Sequence, residues 1–355
     1  MSEAALVRRL VRAGVLASDD AILPDTAVER CPRRNRNTRV ALSGGAGVFV
    51  KQADPRAQGS RETVIAEGAV YHAHRGGGPL SAVLPGLVHF DPSEPLLVTE
   101  LLVGYGDLRS VCQAGGPAEF PIAAFRAAAA ALAQVHTVTV GADGRPDGPE
   151  ATPLGWVPAV RRPDPAALET LSNGAMTGLE VVQRAMAIDA GLARAADVWR
   201  SESLIHGDVR ADNVMVRSHA DGGIDVRLVD WELARLGDPA WDLAGLLEAA
   251  VTLALGRGET WGGDDPAAEL AVPVIQATTR AVWRAYIGAG GEGSSGEGEL
   301  RARATDYCAA RLVQTTLELL AGADELSGSA LIALQVADNV FAEPERAAAE
   351  LLALW

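Results

Sequence analysis

Two spacings of apolar residues divide the chain. Met1–Leu16 places apolar residues at helical spacing, with Arg8, Arg9 and Arg12 among them, and predicts an amphipathic helix. Thr26–Cys31, Thr38–Leu42 and Gly47–Lys51 instead alternate apolar and polar residues or are β-branched. Period-two alternation puts successive side chains on opposite faces of a strand, so these runs predict a three-stranded antiparallel meander joined by two turns. The first turn is the polar Arg33–Asn37 and the second Ser43–Ala46. Arg61–His74 returns to helical spacing, with Val64, Ile65, Gly68, Tyr71 and His72 on one face, and breaks at Gly76–Pro79. Two more short strands follow, Leu87–Phe90 and Leu96–Thr99. Residues 1–102 should therefore form a five-stranded sheet with one helix between its third and fourth strands.

Residues 103–355 read differently. Ile122, Phe125, Ala129, Leu132 and Val135 keep helical spacing through an alanine-rich segment, and a Gly/Pro-rich loop occupies Gly141–Pro153. Val214–Val216 and Val226–Val229 are short strands, and the chain after Pro239 is helical apart from the Gly/Ser/Glu stretch Gly288–Gly298. The expected class is α+β, a small antiparallel β-rich lobe followed by a larger, mainly helical lobe. No internal repeat is evident.

Composition narrows the function more than the fold. A chain of 355 residues with 48% hydrophobic residues can build two cores. A net charge of −15 opposes nucleic acid and anionic membrane as partners. The three cysteines, Cys31, Cys112 and Cys308, have no metal-ligand spacing and suit a reducing cytoplasm, each filling space in a core. No apolar run is long enough to cross a bilayer. Lysine and arginine total 31, and Lys51 is the one lysine in the sequence. A compact ammonium cannot be replaced by a bulkier planar guanidinium where geometry matters, so its retention points to a role.

Three polar clusters fall at ends of predicted elements: Lys51 at the end of the third strand, His206-Gly207-Asp208-x4-Asn213 leading into a strand, and Val229-Asp230-Trp231-Glu232 closing another. Two carboxylates and an amide oxygen supply hard donors of the kind Mg²⁺ takes beside nucleotide phosphates. A further carboxylate can accept a hydroxyl proton, and an ammonium can neutralise phosphate charge. Glu232 would touch the metal's outer shell or cap the next turn. His136 reads as a packed core histidine, and Trp156, Trp199 and Trp261 as core or as the lining of a cleft.

His-Gly-Asp-x4-Asn, Val-Asp-Trp-Glu and Gly237-Asp238-Pro239-Ala240-Trp241-Asp242-Leu243 together resemble the aminoglycoside phosphotransferase and choline kinase-like family, over about Thr26–Leu247. The resemblance implies a bilobal protein kinase-like fold, with ATP between an N-lobe of residues 1–102 and a C-lobe of residues 103–355, and ATP and Mg²⁺ as the cofactors. It implies that Asp208 is the catalytic carboxylate, that Asn213 and Asp230 hold magnesium, and that Lys51 meets the α/β-phosphates while pairing with Glu67; Glu62 is the rival for that pairing. Glu100 and Leu102 would hold adenine through their backbone, and His206 and Asp242 would brace the catalytic loop. Where the family often has a glycine- or serine-containing phosphate loop, this chain has Arg33–Asn37, whose Arg36 and Asn37 could donate to phosphate. Gly207 stands where regulated protein kinases have arginine, and too few residues separate Asp230 from Pro239 for an activation segment, so activity should be constitutive. The expected acceptor is a hydroxyl of a small molecule, such as an aminoglycoside-like metabolite. The alternatives are Ser or Thr of a ribosomal precursor peptide, with a partner lyase completing dehydration, and a non-catalytic nucleotide-binding scaffold.

Overall fold

The computed structural model describes residues 3–17, 27–32, 35–42, 45–114, 119–137, 153–256, 266–291 and 296–355. Arg33, Arg34, Ser43, Gly44, Trp261 and nearly all of the expected 141–153 loop lie outside the described residues. Contacts divide the chain into two units. One is chiefly Met1–Gly106 with Met215–Ala234, and the other comprises Asp107–Gly141, Asp147–Val214 and Arg235–Trp355.

In the first unit, helix α1 (Glu3–Arg12) precedes strands β1 (Ala27–Pro32), β2 (Arg36–Ala41) and β3 (Gly47–Gln52), helix α2 (Ser60–Ala73), and strands β4 (Leu87–Asp91) and β5 (Leu96–Glu100). The sheet order is β1-β2-β3-β5-β4, antiparallel throughout. Leu6 and Leu10 of α1 pack on Val40, Val48, Val50, Leu96 and Val98, which the period-two alternation turns to one face. Helix α2 packs against β3, β4 and β5 through Val64, Glu67, Gly68 and Tyr71, while His72, expected on that face, is exposed. Gly68 has no alternative: a Cβ there would lie 2.0 Å from the Phe90 ring. Strands β7 (Val214–Ser218) and β8 (Ile224–Leu228) form a hairpin that leads to Asp230.

The second unit is mainly helical. Helix α3 (Glu119–His136) packs along α5 (Pro266–Gly288), and α4 (Pro239–Leu255) along α6 (Glu297–Leu320). Two three-residue strands missed by the spacing, β6 (Ser203–Ile205) and β9 (Arg235–Gly237), pair antiparallel. Trp241 and Tyr307 meet edge to face in the core, with Trp199 against both, so Trp199 is a packing residue. Cys112 and Cys308 are buried as expected, whereas Cys31, on the outermost strand, is only half-buried. Among the described residues no helix is long and apolar enough to cross a membrane.

Candidate active site

Strand register sets the candidate residues of the first unit. Lys51 on β3 lies opposite Asn37 on β2 and Leu97 on β5, so Lys51 and Asn37 share a face. Helix α2 presents Glu67 to the same place, and the Lys51 Nζ donates to Glu67 Oε2 at 2.6 Å. The ammonium also donates to Asp230 Oδ1. Lys51 and Glu67 are almost fully buried, at 7% and 1% exposure, and the rival Glu62 faces solvent.

Asp230 follows β8 with φ 72° and ψ 56°. A left-handed backbone is costly for a residue with a Cβ and is held only where surroundings over-determine it. Here the buried Trp231 supplies that restraint: its indole N–H donates to Leu228 O at 2.8 Å. Glu232 accepts from Asn35 Nδ2 at 3.3 Å, and Asn35 Oδ1 accepts from the Ser60 hydroxyl at the start of α2. Asn35 is a residue that sequence patterning passed over; it sits in the turn between β1 and β2 and ties that turn to α2 and to the Asp230 segment.

Two carboxylates flanking one ammonium leave a charge over. Burial alone would pull the Lys51 ammonium down, but Glu67 and Asp230 outweigh it and hold it above its ordinary value. Burial pushes Glu67 up to about 7, against the pull of Lys51 and with the push of Asp230. An acid whose pKa rises on folding stabilises the fold fully below its unfolded value of about 4.5, and that contribution is lost as pH rises through about 7. Wild type should therefore lose melting temperature relative to Glu67→Gln between pH 5 and 8; a constant gap between the two proteins would contradict the assignment.

Arg36 and Asn37, expected together in the turn, instead begin β2, and alternation sends them to opposite faces. Arg36 pairs with Asp54 at 2.9 Å, ahead of α2. Asn37 stays buried on the Lys51 face, its Oδ1 without a hydrogen-bond partner. Glu100 ends β5; its N–H donates to Gly86 O at 2.8 Å and its carboxylate accepts from Gly86 N. Leu102 lies just after the strand, in a tight turn closed by Val103 N donating to Leu101 O at 2.9 Å.

In the second unit the candidate residues lie on the loop His206–Asn213. Gly207 has φ +83°, which explains glycine at this position better than the absence of a regulatory arginine does. Asp242, buried on α4, accepts from the His206 and Gly207 amides at 2.6 and 2.9 Å, and Trp241 Nε1 donates to Gly207 O at 3.1 Å. The His136 ring lies 3.1 Å from Asp242 Oδ2 and 2.6 Å from the Tyr286 hydroxyl, so this histidine is part of the brace as well as buried. Burial would raise the Asp242 carboxyl, but the His136 hydrogen bond, the nearby imidazoles and the His206 amide hold it below the usual carboxylate value. At the end of the loop, Asn213 Nδ2 donates to Asp208 O at 2.9 Å and to Asp208 Oδ2 at 3.2 Å. That orientation turns the Asn213 amide oxygen away from Asp208. Asp208 keeps about a quarter of its side chain exposed.

Close packing fixes the loop against α4. A Cβ on Gly245 would stand 2.3 Å from Val209 O and 3.1 Å from Val209 Cβ. Gly245→Ala should therefore displace the loop and cost about 1–3 kcal/mol of stability, read as a lowered urea midpoint. A wild-type midpoint would show the loop free to move.

Among the described residues no group of three or more His, Cys, Asp or Glu is placed to hold a metal. Mg²⁺ takes one or two carboxylates and keeps waters. The Asp230 carboxylate and the Asn213 amide oxygen are hard donors of that kind.

Comparison with known proteins gives a consistent result. The model of a family described as the phosphotransferase enzyme family matches residues 28–304. No curated protein matches the sequence. Solved structures that resemble the chain include a choline/ethanolamine kinase family protein from Mesorhizobium loti (17% identity, TM-score 0.54, 98% of this chain and 99% of that one). A macrolide 2'-phosphotransferase from Brachybacterium faecium has 19% identity and TM-score 0.51, covering 98% and 97%. An amicoumacin kinase in complex with AMP-PNP and Ca²⁺ has 14% identity and TM-score 0.56, covering 95% and 93%. At such identities the likeness establishes the fold, an α+β architecture of the protein kinase-like phosphotransferases.

Proposed function

Because the chain belongs to the phosphotransferase enzyme family, we propose that it transfers the γ-phosphoryl group of ATP, with Mg²⁺, to a hydroxyl of a small molecule. One observation carries this reading: the sequence's single lysine is buried between Glu67 and the strained Asp230. An ammonium so held is a fixed point charge for phosphate oxygens, because it loses little freedom when the nucleotide binds.

The chain's own residues divide the work. Lys51 neutralises the α/β-phosphates, with Glu67 fixing its position, and Asn37 on the same face would donate an amide N–H to them. Of the Glu100 backbone, the N–H is already taken by Gly86, so its carbonyl, together with the Leu102 backbone, serves adenine. Asp230 and Asn213 would hold the magnesium ion, which when bound supplies charge neutralisation at the phosphates. Asp208 orients the acceptor hydroxyl and accepts its proton as the new P–O bond forms and the bond to the β-phosphate oxygen breaks, leaving ADP. Little covalent help is needed in phosphoryl transfer, so positioning and charge account for most of the rate. Arg36, engaged by Asp54, is assigned to ordering the approach to α2 rather than to phosphate.

Expected partners are the nucleotide and a small hydroxylated acceptor; the charge balance given above opposes nucleic acid and anionic membrane, and a cytoplasmic setting suits cysteines that form no disulfide. Incubation with γ-labelled ATP and a panel of hydroxylated antibiotics and metabolites tests the reading. It predicts a labelled phosphoester, whereas label confined to ATP across acceptors, with the nucleotide bound, would overturn it.

A further inference from the structure

Behind the catalytic loop lies a guanidinium that none of the motifs contains. Arg311 sits on α6, beyond residues 28–304 that the family model matches. It is 2% exposed, yet its Nη2 donates to Val209 O at 2.7 Å and stands 3.8 Å from Asp208 Oδ1. Its Cζ lies over the Trp241 ring, 5.0 Å from the centroid, and that same indole donates to Gly207 O. One side chain thus touches the carbonyl after Asp208, the carboxylate of Asp208, and the ring that fixes the residue before it. Glu248 on α4 is buried close by and offsets part of the charge. The guanidinium's Nε and Nη1, and Glu248 Oε1, have no hydrogen-bond partner among the described residues. A cation held there without saturating its donors is costly as a structural element alone.

We propose that Arg311 is a positioning residue for the catalytic carboxylate, aiming Asp208 at the acceptor hydroxyl while its fork clamps Val209. The proposal rests on the assignment of Asp208 above.

The test compares wild type, Arg311→Met, Arg311→Lys and Asp208→Asn with Mg·ATP as donor and water as acceptor, read as release of labelled phosphate. Amide hydrogen exchange over residues 206–213 is followed in the same proteins. Misaimed groups lose rate, so Arg311→Met should lower kcat about 100-fold with KM for ATP within about 3-fold of wild type, and Arg311→Lys should recover part of the loss. Amides 206–213 should exchange faster in Arg311→Met while those of α4 and α6 do not. Should Arg311→Met fail to fold, Arg311→Lys decides, because it keeps the charge but not the guanidinium over Trp241. Wild-type kcat in the folded variants, or a kcat loss matched by an equal rise in KM, overturns the proposal. Where phosphate release is too slow to measure in wild type, the exchange decides: unchanged 206–213 amides overturn it and locally faster ones support it. Asp208→Asn separates the two claims: if it turns over normally, the Asp208 assignment falls and this proposal with it. An inactive Asp208→Asn beside fully active Arg311 variants removes this proposal alone.

Discussion

Asp208→Ala is expected to bind Mg·ATP as wild type does and to lose phosphoryl transfer by about 10³-fold, within the range that removal of a general base produces. The expectation follows from how the loop is held. Asp242 takes the two amides ahead of Asp208, Asn213 grips its carbonyl, and Trp241 fixes Gly207, so the loop keeps its course when one carboxylate is removed. The carboxylate proposed to face the acceptor goes, and with it one of the two Asn213 hydrogen bonds to Asp208. Isothermal titration with AMP-PNP and single-turnover transfer separate the two effects. A variant with normal turnover would remove Asp208 from the chemistry.

The second large effect is expected at Lys51. Lys51→Arg retains charge but puts a planar fork into a space that fits an ammonium between Glu67 and Asp230. Transfer should fall about 100-fold, with the KM for ATP rising, because phosphate is then met in the wrong geometry. Lys51→Met leaves two carboxylates facing each other without a cation. Removing one partner of a buried ion pair costs about 3–5 kcal/mol, and the uptake of a proton by Glu67 will return part of that at low pH. The melting temperature of Lys51→Met should therefore recover as pH falls from 8 to 6. Wild-type kinetics in Lys51→Arg would mean that the lysine was retained for no geometric reason.

How much of this was legible in the sequence depends on the range over which the information acts. The five strands and α2 were readable because alternation and helical spacing are local, and Glu67 could be preferred over Glu62 because it adjoins the apolar stripe. The His-Gly-Asp-x4-Asn loop was readable because one short segment carries its donors. Arg36 was misplaced for a reason of one residue: whether a side chain starts a strand or ends a turn decides which face it takes, and the turn's bounds are not written in the pattern. His136, Tyr286 and Arg311 belong to the brace through tertiary packing alone; they come from helices and stand 72, 78 and 103 positions from Asp208, and nothing in their neighbours' spacing marks them. Asn35 escaped for the opposite reason, since a polar residue in a turn ordinarily faces solvent. Gly207 and Gly245 were visible as glycines, but the left-handed backbone of one and the close carbonyl at the other are facts of the fold.

The most direct measurement is transfer itself: γ-labelled ATP, Mg²⁺ and a pool of small hydroxylated acceptors, with Asp208→Ala protein as the blank. A labelled phosphoester that forms with wild type, needs the metal and is absent from the blank is the predicted result. Firm binding of Mg·ATP by wild type with no labelled ester and no released phosphate, whatever the acceptor, would contradict the account.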